Sequence, residues 1–197
     1  IYLPYKPKRR TKATIARERG LEPLAKIVMK QFERNPELRA QSFLNKDVQT
    51  PEDALAGARD IIAEWISENE KARNIVRRAF EKEAVITSKV VKEEEEEAEK
   101  YRDYFDWSEP LKKCPSHRLL AMRRGEKEGF LRVTVKPNET RPLENLTRFF
   151  VKGQNDSSNQ VGIAVKDSYK RLIQPSIETE FSQLSKEKAD DDAIGVF

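Results

Sequence analysis

A chain of 197 residues that is 37% hydrophobic and 37% charged, with only seven glycines, suits one ordinary domain or two small ones with wide solvated helical faces. A single cysteine, Cys114, excludes an internal disulfide framework and reads as a reduced thiol of an intracellular protein. No apolar run approaches the roughly 18 residues that a membrane span requires. The net charge of +4 is unevenly spread: residues 6 to 19 hold seven Lys/Arg against one Glu, and residues 112 to 136 hold eight against two. Glu93 to Glu97 and Asp190 to Asp192 are unbroken acidic runs.

In chain order, Pro4 and Pro7 hold the opening segment extended. Thr14 to Arg19 reads as a short helix stopped at Gly20, and a helix from Pro23 to Arg34 places Leu24, Ile27, Val28 and Phe32 on one face. Asn35-Pro36 has the form of an N-cap followed by proline at the first helical position, opening a short element through Leu44. The clearest helix start is Thr50-Pro51, with Leu55, Ala58, Ile61, Ile62, Trp65 and Ile66 recurring behind it; after a joint at 67–69, a second helix carries Ile75, Val76, Ala79 and Phe80.

Val85 to Val91 is rich in β-branched residues, as a strand would be. Glu93 onward reads as a helix through Tyr104, with the glutamates at its solvated start, where the helix dipole favours negative charge. Ser116 reads as the cap of a helix ending at Gly125, and Leu131, Val133 and Val135 alternate with polar residues as in a short strand. Residues 137 to 160 read as a polar surface excursion with one or two helical turns; helices from about Ser158 to Ile173 and from Ser176 onward, parted by Pro175, close the chain. The fold expected is mainly α, a multi-helical array with helix-turn-helix-like packing and at most a small two- or three-stranded β element, divided into residues 1–92 and 93–197. The abrupt Ile1 start and apolar finish read as the ends of a segment within a longer protein.

Little in the chain suggests catalysis. With one His and one Cys, no zinc set can be assembled, and Ser116-His117 reads as a helix start, with His117 a first-turn side chain. Neither phosphate-cradling glycine loop is present, so no cofactor is expected. The basic stretches carry the functional expectation. Lys6, Lys8, Arg9, Arg10, Lys12 and Arg17 form a strap that either neutralises phosphates without reading bases or pairs with acidic helices. Tyr2 and Tyr5 offer faces there for stacking or core anchoring. Arg118, Arg123 and Arg124, with Lys112 and Lys113, form a second patch, open to the same reading or to pairing with Glu109 and Glu126.

Four runs in this sequence resemble one family. They are YLPYKPKRRTKATIARERGLEPLA from Tyr2, ALAGARDIIAEWISE from Ala54, YRDYFDWSEPLKKCPSHRLLAMRRGEKEG from Tyr101 and KDSYKRLIQPSIETE from Lys166. In this order they are similar to the helical N-terminal and central part of the Tex family of bacterial transcription accessory proteins; residues 137 to 160 match nothing in the resemblance, and it assigns Cys114 no role. The resemblance implies a segment of a protein that binds RNA or DNA and acts in transcription; the lone reduced thiol places it in the cytoplasm, and the missing motifs mark it as non-enzymatic. A helix-turn-helix-like region would precede it, and RNase H-like, helix-hairpin-helix and OB-type domains would follow. It also favours a helix over a strand for 85–91, a small hairpin with 130–136 being the alternative. Two functions compete: a helical scaffold with sequence-independent phosphate contacts, or a purely structural module that positions neighbouring domains or docks on RNA polymerase. A nuclease, suggested only by the RNase H-like neighbour, ranks last.

Overall fold

Thr11 opens the first helix: its hydroxyl accepts the Thr14 amide at 3.1 Å, so α1 (Lys12–Glu18) starts with one of its otherwise orphaned amides satisfied. Gly20, at φ +80°, ends it in the left-handed conformation that glycine adopts without a Cβ penalty. The structure, a computed structural model, describes residues 9–195; the extended reading of Pro4 and Pro7 lies outside that range. The described residues hold nine α-helices and one three-stranded sheet, a mainly α chain. They form two compact units, neither a continuous stretch: one runs up to residue 72 and resumes at 143–172, the other comprises 73–142 and 173 onward.

The first unit contains α2 (Glu22–Lys30), α3 (Pro36–Ala40), α4 (Pro51–Glu68), most of α7 (Thr140–Phe150) and α8 (Asp156–Asp167). Both caps read from the sequence form: Asn35 Oδ1 accepts the Leu38 amide at 3.0 Å and Thr50 Oγ1 the Asp53 amide at 3.1 Å. The centre is α4, which packs on α1, α2, α3 and α8. Its Ala54, Leu55, Ala58, Ile61, Ile62, Ala63 and Ile66 are buried, and each large side chain among them contributes roughly 2 kcal/mol. Leu21, Leu24, Val28, Leu146, Val161 and Val165 complete this core.

The unit departs from the sequence expectation in two places. The second helix stops at Lys30, because Gln31 turns left-handed at φ +61° and sends Phe32 outward, 84% exposed, instead of onto the core face. Residues 140 to 150 form a three-turn helix, most of it in this unit, not a surface excursion. Leu146 and Phe150, four residues apart on one face, are both buried.

The second unit contains most of α5 (Glu70–Glu83), then β1 (Val85–Val90), β2 (Asp106–Pro110), α6 (Ser116–Lys127), β3 (Leu131–Lys136) and α9 (Gln174–Gly195). The sheet order is β2-β1-β3, antiparallel throughout, with Thr87 opposite both Ser108 and Thr134. Residues 85–90 are therefore a strand, contrary to the preference for helix: their β-branched side chains fit the centre of a sheet. On β3, Leu131, Val133 and Val135 face inward as their alternation requires, and Glu178 of α9 accepts the Val135 amide at 3.0 Å, occupying part of an otherwise open edge.

Residues 92–104 form 3₁₀ helices and turns rather than an α-helix. The chain leaves β1 and must return antiparallel as β2, and five adjacent carboxylates repel one another in a helix. Helix α6 runs past Gly125 to Lys127, and Gly129 at φ +85° follows it. Residues 168–173 widen into a π-turn between α8 and α9, and no break falls at Pro175. The wider turn lies just before Pro175, whose missing N–H leaves a carbonyl one turn back without its α-helical donor.

Gly57 on α4 lies directly under Leu21: a Cβ there would meet Leu21 Cδ1 at 2.2 Å and Ala16 Cβ at 3.4 Å, and Leu21 is buried. A Cβ on Gly162 of α8 would stand 3.8 Å from Val151, ordinary contact. Gly57→Val is expected to cost about 1–3 kcal/mol by overpacking. Gly162→Ala is expected to stabilise by up to about 1 kcal/mol. Urea denaturation midpoints of the two variants check both signs.

Candidate nucleic-acid interface

The strap meets the first unit through α1. Ala13 and Ala16 are small enough for α1 to lie close along α4, which leaves the polar side of α1 beside the α4 carboxylates. Arg17 Nη1 donates to Glu64 Oε1 at 2.8 Å, and its Nε lies 3.9 Å from Glu22; Thr11 also donates to Glu64, at 3.1 Å. Arg10 pairs with Glu18 at 2.5 Å. Arg9 and Lys12 are exposed and form no ion pair among the described residues. Lys6, Lys8, Tyr2 and Tyr5 lie outside the described residues.

Below Lys12 lies Asp60, half-buried on α4. Burial pushes its carboxyl up from the ordinary range, while the charges of Lys12 and Arg171 pull it back by less. Arg171 is itself held by Asp167, through Nε at 3.1 Å and Nη2 at 2.8 Å. The sequence reading missed Glu64, which holds Arg17 and Thr11, and Asp60, on which the charge of Lys12 acts without pairing; their i, i+4 spacing on α4 is the signal that marks them.

The second patch is carried by α6 and β2. Arg118 Nη1 donates to Glu109 Oε2 at 2.5 Å, and its guanidinium lies 4.9 Å from the centre of the Trp107 ring. Trp107 and Glu109 are two apart on β2 and so share a face, which lets one planar guanidinium meet both. Arg123 donates to Glu126 at 2.8 Å. Lys112, Lys113 and Arg124 are exposed, with no ion pair among the described residues. Ser116 is not the helix cap: Pro115 occupies that position, and the Ser116 hydroxyl donates to Asp192 Oδ2 at 2.8 Å. His117 is an exposed side chain of the first turn.

Cys114 stands beside this pair. Burial pushes its thiol up to about 12; the neighbouring Glu109 carboxylate adds to the shift, and Arg118 opposes it. At neutral pH it is a protonated thiol, the unreactive form. The arginines and lysines of the two basic stretches thus fall into two groups. Arg10, Arg17, Arg118 and Arg123 are held on carboxylates, whereas Arg9, Lys12 and Arg124 present their charge to solvent. Among the described residues no three His, Cys, Asp or Glu side chains converge to hold a metal ion, and no helix is long and apolar enough to cross a membrane.

A family model described as Tex central region-like matches residues 31–197. The chain is 40% identical over 207 residues to the Transcriptional accessory protein Tex of Neisseria gonorrhoeae, an alignment that covers all of this chain and 27% of that protein. Protein YhgF of Escherichia coli is 37% identical, again over the whole chain and 27% of its own length. S1 RNA-binding domain-containing protein 1 of Homo sapiens is 27% identical across the whole chain, which spans 21% of it. The chain thus corresponds to about a quarter of the length of the bacterial relatives.

Two outcomes follow from the Glu109 cluster. Arg118→Ala leaves a largely buried carboxylate without its charge partner and is expected to cost about 2 kcal/mol, whereas Arg124→Ala leaves the stability within about 0.5 kcal/mol of the parent; urea midpoints separate the two. The folded thiol of Cys114 holds its proton up to about pH 12, against an ordinary value of 9.0. Above pH 9 the unfolded chain therefore binds fewer protons than the folded one. The thiol's contribution is complete below pH 9 and falls as pH rises toward 12. Urea midpoints of the parent and of Cys114→Ser between about pH 8 and 10.5 should diverge in that direction, the variant falling less.

Proposed function

The chain belongs to the Tex family, and from that membership we propose that it is the helical scaffold of a nucleic-acid-binding transcription accessory protein, touching phosphates without reading sequence. The observation that carries the reading is the 40% identity, across the whole chain, to a protein named as a transcriptional accessory factor. The human relative, named for an S1 RNA-binding domain, supports RNA as a partner.

In this reading Arg9, Lys12 and Arg124, with Lys6 and Lys8, meet phosphate oxygens. Arg10, Arg17, Arg118 and Arg123 would first have to leave their carboxylates, so they contribute positioning more than contact. An exposed cation neutralises a phosphate by releasing condensed counterions, which gives affinity with no base preference and a steep dependence on salt. The competing reading is a purely structural module whose helical faces position the RNase H-like and OB-type domains of a longer protein or dock on RNA polymerase in the bacterial cytoplasm. The segment supplies contacts rather than chemistry: the named relatives are accessory and RNA-binding proteins.

The test is fluorescence anisotropy of labelled single-stranded RNA and duplex DNA with the purified chain, over a salt series. Changing Lys8, Arg9, Lys12 and Arg124 together to Ala is expected to weaken both ligands alike. The slope of log K against log salt should fall by about one for each phosphate no longer neutralised. Absence of binding at low salt, or an unchanged slope, sinks the proposal.

A further inference from the structure

Phe32 is a large apolar side chain presented to solvent by a turn that is locked in place. The turn depends on Gln31, the one non-glycine residue at positive φ among those described, and only 8% exposed. A left-handed conformation at such a residue costs on the order of 1 kcal/mol and persists only where the surroundings hold it. Here the surroundings are the end of α7 and the start of α8. Gln31 Nε2 donates to the Phe150 carbonyl at 2.8 Å, and Gln31 Oε1 accepts the Lys152 amide at 2.8 Å. Asn155 Nδ2 donates to the Gln31 carbonyl at 2.8 Å, and Ser157 Oγ donates to the Glu33 carbonyl. The backbone on both sides of Phe32 is therefore fixed by a distant segment of the same unit, while the ring itself stays 84% exposed.

The ring's neighbours are charged. Ile27, Lys30, Phe32, Glu33, Arg34 and Arg39 line a shallow depression of about 470 Å³. Lys30, Arg34 and Arg39 form no ion pair among the described residues. The carboxylate of the group, Glu33, is turned back onto the chain, accepting the Asn35 amide at 3.1 Å. What remains outward is an open aromatic face among three unpaired cations. An apolar protein surface would leave those cations desolvated and unmatched, at a cost. A single nucleic-acid strand satisfies both elements: a splayed base stacks on the ring and the flanking phosphates meet the cations.

We propose that Phe32, with Lys30, Arg34 and Arg39, forms a stacking site for one base of a single-stranded nucleic acid. This rests on the nucleic-acid reading above but uses different residues and a different contact. It adds a preference that phosphate contacts alone do not give, since paired bases in a duplex offer no free face.

The test compares a labelled single-stranded oligouridylate with an RNA duplex of equal length, both binding the 197-residue chain at low salt. Phe32→Ala is expected to weaken the single strand roughly tenfold and leave the duplex unchanged. Phe32→Trp is expected to retain single-strand affinity, with its emission, taken as the difference from the parent to remove Trp65 and Trp107, quenched by the strand but not by the duplex. An equal effect of Phe32→Ala on both ligands, or none on either, overturns the proposal. So does a Phe32→Ala that abolishes capture of a protein partner while RNA binding is intact. If Arg9, Lys12 and Arg124 prove silent while Phe32→Ala still separates single strand from duplex, the phosphate assignment fails and this one stands. The reverse pattern, or no binding of any oligonucleotide, overturns it.

Discussion

The first unit depends on the burial of one helix face. Seven residues of α4, from Ala54 to Ile66, are removed from water, and α1, α2, α3 and α8 each reach the core by packing on that helix. Gly57 admits Leu21 to its surface, and the Ser168 hydroxyl donates to the Ala63 carbonyl at 2.7 Å where α8 gives way to the π-turn. Once α4 is placed, the rest of its circumference is also placed. Asp60 and Glu64 then stand where α1 delivers its basic residues, so the hydrophobic packing decides which strap charges find a carboxylate.

The second unit shows the same dependence in a different form. Ile86 of β1 and Leu131, Val133 and Val135 of β3 supply the buried aliphatic side chains of the sheet, and α6 and α9 pack beside β3 and each other. On β2 the alternation that serves packing also sets Trp107 and Glu109 side by side. Arg118 of α6 answers both, the carboxylate through a charge-assisted hydrogen bond and the indole through its face. Cys114 feels the same arrangement: a partly buried thiol beside the Glu109 carboxylate keeps its proton at neutral pH. The charge of the Arg118–Glu109 pair holds β2 to α6 and is not offered to solvent.

The left-handed turn at Gln31 is where local preference and tertiary structure disagree. The helical periodicity through Leu24, Ile27 and Val28 continues to Phe32, and local propensity alone extends the helix. The segment from Phe150 to Ser157 makes four hydrogen bonds to the turned segment, two with the Gln31 side-chain amide and two with the Gln31 and Glu33 carbonyls. These bonds outweigh the backbone penalty at Gln31, and the ring that would have joined the core faces water instead. The outcome is a phenyl ring displayed on a rigid backbone.

Features that act over a few residues are set by the primary structure alone. Asn35-Pro36 and Thr50-Pro51 fix helix starts through side-chain oxygens that reach amides three residues on, Gly20 fixes a stop, and the alternation of Leu131, Val133 and Val135 fixes a strand. The β-branched run at 85–90 is legible in the same way; family likeness, which says nothing direct about backbone state, points wrongly to a helix there. Long recognisable runs also carry the family. Tertiary packing settles what depends on partners far along the chain: that 92–104 must turn back between two antiparallel strands, that 140–150 is a core helix beneath a polar composition, and which cations are free. Arg17 meets Glu64 across 47 residues and Gln31 meets Phe150 across 119. A contact between such distant residues exists only after the core has closed, so no local pattern records it, and the separation of paired from exposed cations is a property of the fold.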